Sequence, residues 1–290
     1  MSTPRPLDLA GGFSLALGGG GARGYAHLGV VQALAERGLR PARIVGTSMG
    51  SVIGAGMAAG LTAEHMAAMA ARIDPWRVAR RGARLAIFDH RPLIEQVVAE
   101  VGDLQIEDLQ VPFAAAAYDL VSGRQVAITH GSVAEALIRS CAISVVFPPV
   151  VDGDAVYADA GVWEPVPVSV ARGLSPDPVV GVSVIAAKPW WFASGPVAWS
   201  LRASAAALGT QRRGTGLNAR RYTALLAARM TDPVVRDRAD LLIVPDLRGV
   251  SWVRFSQWEP AWRRGYEAAT AALGPVPLPA VPDPQPVASP

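Results

Sequence analysis

The sequence predicts an α/β domain in which a mostly parallel central sheet is covered by helices on both faces. Short apolar runs alternate with segments of helical periodicity along most of the chain. Apolar residues make up 51% of the 290 residues and charged residues 18%, which suffices for one large core. We therefore expect a single domain over residues 13–273. Residues 1–12 and the proline-rich residues 274–290 are expected to be disordered tails outside it.

The first half of this domain carries the clearest signals. A buried strand, FSLAL (13–17), is followed by a run of glycines and by the helical segment ARGYAHLGVVQALAERG, which ends at Gly38. A second strand, RIVGTS, leads directly into the helix MGSVIGAGMAAG, and TAEHMAAMAARI continues with helical spacing. The order strand, helix, strand, helix is typical of parallel strands joined by crossover helices.

Later segments extend the same pattern. A helix is predicted near PLIEQVVAEV, and the strands VPFAAAAYDL and RQVAITHG flank Ser122-Gly123 as a hairpin. A further helix is predicted in SVAEALIRSCA, and DPVVGVSVI and DLLIVPDL are two more apolar strands.

Charge and composition narrow the range of functions. The formal net charge of +3 comes from arginine almost alone, since Lys188 is the only lysine. This excess suits an anionic lipid surface but is too small to indicate nucleic-acid binding. The single cysteine, Cys141, excludes an internal disulfide and a cysteine-rich metal site. The apolar runs are shorter than a membrane span or a signal peptide requires, so we expect a cytoplasmic protein, peripheral to the membrane at most.

The glycine run GGGGARG (18–24) is the first motif that could carry chemistry. Gly19, Gly21 and Gly24 satisfy the dinucleotide-binding pattern G-x-G-x-x-G, but the second strand ends at Gly46-Thr47 without the acidic residue that binds a ribose. No Lys-Ser or Lys-Thr follows, which excludes a phosphate-binding P-loop. What remains is a loop whose N–H groups can hold an anion, or a tight turn without a ligand.

Ser48 is the second motif. It lies in G-T-S-M-G between a predicted strand and a predicted helix, as the nucleophile does in a nucleophile elbow. Gly46 and Gly50, two residues before and after it, are small enough for the neighbouring backbone to pass. The alternative is a chance match in a chain rich in glycine and alanine.

The histidines disfavour an ordinary catalytic triad. Along an α/β-hydrolase chain the order is serine, acid, histidine, but the last of the four histidines here is His130, so none lies in the second half of the chain. They are His27, His65, His90 and His130. The base must then be another residue type.

Asp159, in YADAGVWEPVPV (157–168), is the third motif. It follows a short strand and precedes Gly161, which places a carboxylate at a strand end. By itself this pattern is common at turns.

Together the three motifs resemble the patatin-like phospholipases, in particular short bacterial members related to neuropathy-target-esterase-type lysophospholipases. The resemblance covers about residues 15–168 and includes GGGGARGYAHLGVVQAL, IVGTSMGS, SVAEALIRSCA, FPPV and DAGVWEPVPV in the family's order. The chain departs from the family pattern at Ala160, where glycine is usual, and at Glu164-Pro165.

The resemblance implies a three-layer patatin-like fold and a serine acyl hydrolase of the phospholipase A, lysophospholipase or carboxylesterase type. Ser48 takes the place of the nucleophile and Asp159 that of the base. The oxyanion loop falls on Gly19, Gly20, Gly21 and Arg23, with the arginine shaping the loop. A lipid or other acyl ester is the implied substrate, with no cofactor and no metal.

Two alternatives remain open at this point. The same dyad could serve an acyltransferase or a thioesterase, or the chain could be a catalytically silent regulatory member of the family. Membrane contact is a further hypothesis. It rests on Trp190-Trp191 beside Lys188 and Phe192, and on a group of arginines that could equally be a solvated face. That group is Arg77, Arg80, Arg81 and Arg84. For Trp252, Trp258 and Trp262 we favour packing in the core or a lid.

Overall fold

The computed structural model describes residues 9–72, 80–81, 88–144, 146–185, 219–229 and 238–274. Its strands are β1 (Ser14–Leu17), β2 (Arg43–Thr47), β3 (Arg80–Arg81), β4 (Phe88–Asp89), β5 (Phe113–Asp119), β6 (Arg124–Ile128), β7 (Val150–Asp152), β8 (Ala155–Asp159), β9 (Val179–Val182) and β10 (Leu241–Ile243). Its α-helices are α1 (Ala26–Glu36), α2 (Met49–Ala58), α3 (Ala63–Arg72), α4 (Arg91–Val101), α5 (Val133–Ser140), α6 (Val168–Leu174), α7 (Ala219–Arg229) and α8 (Trp258–Leu273).

The main sheet has the strand order β10-β9-β1-β2-β5-β8-β7, and β6 also pairs with β5. In this order, the neighbouring strands β10, β9, β1, β2 and β5 pair in parallel. The pairs β5–β6, β5–β8 and β7–β8 are antiparallel. The sheet is therefore mostly parallel, as predicted.

The two faces of the sheet bury two groups of apolar side chains. Because successive strand residues point to opposite faces, Leu15 and Leu17 of β1 join a core with α1, α2 and α8, while Ala16 joins a second core with α6 and α7. The chain thus has the predicted α/β fold with helices on both faces.

Helix α8 is a long element that the sequence patterns did not predict. It crosses α1 with the backbones in close contact, since a Cβ at Gly265 would collide with the carbonyl of Ala26. Its buried residues Ala261, Gly265 and Ala269 recur every four residues and are all small. The large apolar residues of α8 that pack against the core, among them Trp258, Trp262 and Tyr266, are only partly buried.

Strand β5 brings the ends of β2 and β8 together. Thr47 at the end of β2 pairs with Ala116, and Asp159 at the end of β8 pairs with the next residue, Ala117. Strand β6 pairs with residues of β5 that also pair with β2 and with residues that also pair with β8, so β6 lies along the opposite edge of β5. Strands β2 and β8 therefore lie one after the other along the same edge of β5. Ser48, which follows Thr47, is therefore placed beside Asp159.

Several residues considered for membrane contact lie outside the described residues. They are Arg77, Arg84, Lys188, Trp190, Trp191 and Phe192. Trp258 and Trp262 are partly buried against the core, while Trp252 is 43% exposed. Within the described ranges, no helix is both long and apolar enough to cross a membrane.

Candidate active site

Ser48 occupies a strained turn between β2 and α2. Its φ of 53° and ψ of −125° make it the only residue other than glycine with a positive φ among the residues that the structure describes. A side chain in this conformation costs free energy, and the cost is typical of a nucleophile elbow. The residue is 5% exposed.

The glycines on either side of Ser48 allow close backbone packing. A Cβ at Gly46 would overlap the backbone of Gly50 and Ser51. A Cβ at Gly50 would lie 2.7 Å from the carbonyl oxygen of Gly18 and closer still to that of Leu17. Both positions therefore need glycine for α2 to begin against the end of β1.

We expect Gly50→Ala to lower the free energy of unfolding by about 3 kcal/mol or more, because the clash is with backbone that cannot move aside. Urea unfolding measures the loss. Gly173→Ala is the matched control: Gly173 lies in α6 with open space around a Cβ, so alanine should raise stability by up to about 1 kcal/mol. Equal stability of the two variants would contradict the tight packing at Gly50.

Asp159 ends β8 and is 7% exposed. Its backbone N–H donates to the carbonyl of Ala142 at 2.9 Å, and its Oδ1 accepts the N–H of Gly161 at 2.7 Å. Burial raises the pKa of Asp159 to about 6, against the opposing effects of hydrogen bonds from the Ser48 side chain and the Gly161 N–H. A carboxylate of this pKa is a better base at neutral pH than an aspartate in water.

The glycine-rich loop packs directly against Ser48. A Cβ at Gly19 would lie 3.3 Å from that of Ser48. The N–H of Gly19 donates to Pro165 and that of Arg23 to Gly20, at 3.0 and 3.2 Å. In the described part of the chain, the N–H groups of Gly20 and Gly21 have no hydrogen-bond acceptor.

The segment before α8 fixes this loop from the other side, which the sequence analysis did not foresee. The N–H of Ala22 donates to the carbonyl of Trp252 at 2.8 Å, and the Arg23 guanidinium donates through Nε to the carbonyl of Val250, also at 2.8 Å. Arg23 thus holds the loop in shape. These acceptors are backbone carbonyls, so no side-chain pattern in the sequence marks them.

The two buried histidines hydrogen-bond to backbone carbonyls. Nε2 of His27 donates to Gly18, and Nε2 of His90 donates to Ile138, both at 2.8 Å. Burial lowers the pKa of His27 to about 4 and also lowers that of His90, despite these hydrogen bonds. Both rings are therefore neutral at pH 7, and His27 orients the start of the glycine loop.

Cys141 is a second buried nucleophilic side chain at this site, close to Ser48 and Ser51. Burial, together with the charge of Asp159, raises the pKa of its thiol to about 12. The thiol is protonated at neutral pH and is a poor nucleophile in that state.

The chain is similar in sequence to known proteins. A family model described as patatin-like phospholipase matches residues 15–172. An uncharacterized NTE family protein of Mycobacterium tuberculosis is 38% identical over 192 residues, which cover 63% of this chain and 53% of that protein. A lysophospholipase NTE1 of Mycosarcoma maydis is 31% identical over 182 residues, covering 59% of this chain and 9% of that protein. The matched region is thus about half of the mycobacterial relative.

Among solved structures, VipD from Legionella pneumophila has a similar fold. The TM-score is 0.55, with 90% of this chain and 66% of that chain covered, and the sequence identity is 14%. At this identity the likeness concerns the fold alone. Because the family model covers more than half of the chain and includes the strained serine, the glycine loop and the buried aspartate, the chain belongs to the patatin-like phospholipase family.

Proposed function

We propose that the protein is a serine acyl hydrolase that cleaves carboxylic esters of lipids with a Ser48–Asp159 dyad. The observation that carries the proposal is a buried serine on a strained elbow beside a buried carboxyl whose pKa is raised to about 6. A serine hydroxyl needs a neighbouring base to become a nucleophile, and Asp159 is placed to be that base.

In the acylation step, Ser48 Oγ attacks the ester carbonyl carbon while its proton passes to Asp159. The carbonyl oxygen becomes an oxyanion, which the N–H groups of Gly20 and Gly21 would stabilise, with Gly19 and Arg23 holding the loop. Collapse of this intermediate breaks the ester bond, and Asp159 returns the proton to the leaving alcohol. Water then attacks the acyl carbonyl carbon while its proton passes to Asp159. The bond from this carbon to Ser48 Oγ breaks, Asp159 returns the proton to Oγ, and the acid leaves.

Family membership and similarity to a protein named a lysophospholipase support a lipid substrate. The test is release of fatty acid from a long-chain lysophospholipid and from a short-chain p-nitrophenyl ester by the purified protein. We expect hydrolysis of both, with higher kcat/KM for the long chain. If the folded protein hydrolyses neither substrate, the proposal is refuted.

The proposed base also sets the pH dependence of activity. Only the ionised carboxylate accepts a proton, so kcat/KM should rise with pH to a plateau, with an apparent pKa of about 6. Activity should fall about tenfold for each pH unit below that value. A pH profile of ester hydrolysis measures this, and a midpoint near 4 would indicate an aspartate exposed to water instead.

A further inference from the structure

Three consecutive residues at the end of α5 contact both members of the proposed dyad. The hydroxyl of Ser140 accepts the backbone N–H of Ser48 at 2.9 Å. The carbonyl of Ala142 accepts the backbone N–H of Asp159 at 2.9 Å. Cys141, between them, faces the Ser48 side chain. The segment therefore links the turn that carries the serine to the strand that carries the aspartate.

The Ser140 hydroxyl stands at the position of a missing sheet hydrogen bond. Ile44 of β2 donates its N–H to Pro112, and donors recur at every second residue of a parallel strand. In the observed register, Ser48 would donate to Ala116. Instead, Ser140 Oγ lies between the two, because it accepts from Ser48 N–H and donates to the Ala116 carbonyl at 2.7 Å.

The Ser140 hydroxyl separates β2 from β5 at Ala116, the last residue of β5 that is paired with β2. Beyond Ala116, the edge of β5 pairs with β8, beginning at Ala117 and Asp159. The direction of the hydrogen bonds is fixed, since a carbonyl can only accept and an N–H can only donate. Because Ser140 is fully buried, a water molecule could take the place of its hydroxyl only if a cavity large enough to hold it opened there.

We propose that Ser140 is a positioning residue, which holds the Ser48 turn away from β5 and at the distance from Asp159 that proton transfer requires. This inference rests on the proposed hydrolase function. Without the hydroxyl, Ser48 N–H and the Ala116 carbonyl are both unpaired, and they can pair only if the turn moves toward β5. The nucleophile then leaves its position beside the base.

The test compares Ser140→Ala and Ser140→Thr with wild type in steady-state ester hydrolysis and in the rate of labelling by a fluorophosphonate. We expect Ser140→Ala to lower kcat and the labelling rate about 10- to 100-fold with KM within about twofold, as for a misplaced reacting group. Ser140→Thr keeps a hydroxyl and should recover most of the rate. Ser14→Ala is the control, because Ser14 is a fully buried serine whose Oγ has no partner among the described residues, and its rate should match wild type.

The outcomes separate this inference from the proposed function. Wild-type kcat and labelling in Ser140→Ala, or equal losses in Ser140→Ala and Ser14→Ala, would overturn the role of Ser140 and leave the hydrolase function standing. No labelling of folded wild-type protein would overturn both. If Ser140→Ala does not fold, Ser140→Cys keeps the volume with weaker hydrogen bonds and should show the same selective loss of kcat.

Discussion

Ser48→Ala is expected to lower kcat for ester hydrolysis by about 10⁴- to 10⁶-fold, the range found when a serine nucleophile is removed from other hydrolases. The loss follows because no other side chain in the described site can form the acyl intermediate: the Cys141 thiol stays protonated and the buried histidines are bonded to carbonyls. Steady-state hydrolysis of a p-nitrophenyl ester measures the effect.

The fold should survive this substitution. Alanine at position 48 keeps the strained backbone and removes one oxygen, so the free energy of unfolding should stay within about 1 kcal/mol of wild type. Ser48→Gly relieves the positive φ and should be more stable than Ser48→Ala, by about 1 kcal/mol. Residual activity above a hundredth of wild type in either variant would exclude Ser48 as the nucleophile.

Asp159→Asn is expected to abolish hydrolysis and at the same time to stabilise the protein at pH 8. The amide cannot take the proton of Ser48, so kcat should fall at least about 10³-fold, within the range for general-base loss. The stability gain follows because wild type must keep a buried carboxylate ionised. A shift of the pKa from 3.8 to about 6 corresponds to a cost of about 3 kcal/mol, and we expect the variant to recover about 1–3 kcal/mol of it.

The gain in the free energy of unfolding of Asp159→Asn should depend on pH. The pKa of Asp159 is higher in the folded than in the unfolded protein, so wild type loses stability as pH rises from about 4 to 6 and stays at the lower level above that. The gain in Asp159→Asn should therefore be largest above pH 6 and shrink toward pH 4. Urea unfolding at pH 8 and pH 5 measures it.

Asp119 is the matched control, because it is also buried, at 8% exposure. Burial tends to raise its pKa, but hydrogen bonds from Ser122, Val121 and Val156 outweigh burial and lower it. Asp119→Asn should consequently destabilise the protein at pH 8, the opposite of Asp159→Asn. If both variants lost stability, the buried charge of Asp159 would not be costly, and its role as a tuned base would be contradicted.

Patterns of a few adjacent residues were sufficient to predict the strand, turn and helix around Ser48 and the position of Asp159 at a strand end. The strand ending at Thr47, the turn at Ser48 and the helix beginning at Met49 follow from apolar periodicity and from two glycines. Asp159 was expected at a strand end and lies there. These predictions succeed because each depends on a few adjacent residues.

The long-range contacts could not be predicted in this way. Nothing in the sequence signals that β8 runs antiparallel along β5 to bring Asp159 next to Ser48, or that Ser140 replaces a sheet hydrogen bond. Helix α8 was missed because its fully buried residues are all small, although their spacing of four could have indicated it.

One departure from the family pattern has a structural role. The buried Glu164 side chain accepts the backbone N–H of Ser169 at 2.7 Å at the start of α6. The neighbouring Pro165 accepts the N–H of Gly19. Glu164 therefore supports the start of α6, and the carbonyl of Pro165 supports the glycine loop.

The central claim is that Ser48 is a nucleophile activated by Asp159, and covalent labelling tests it most directly. The folded protein is incubated with a fluorophosphonate, which loses fluoride when a serine oxygen attacks phosphorus, and the modified residue is identified by peptide mass spectrometry. We predict a single adduct on Ser48 in wild type, formed faster at pH 8 than at pH 5 and at least about 10³-fold more slowly in Asp159→Asn. Labelling of another residue, no labelling of folded protein, or an undiminished rate in Asp159→Asn would contradict the claim.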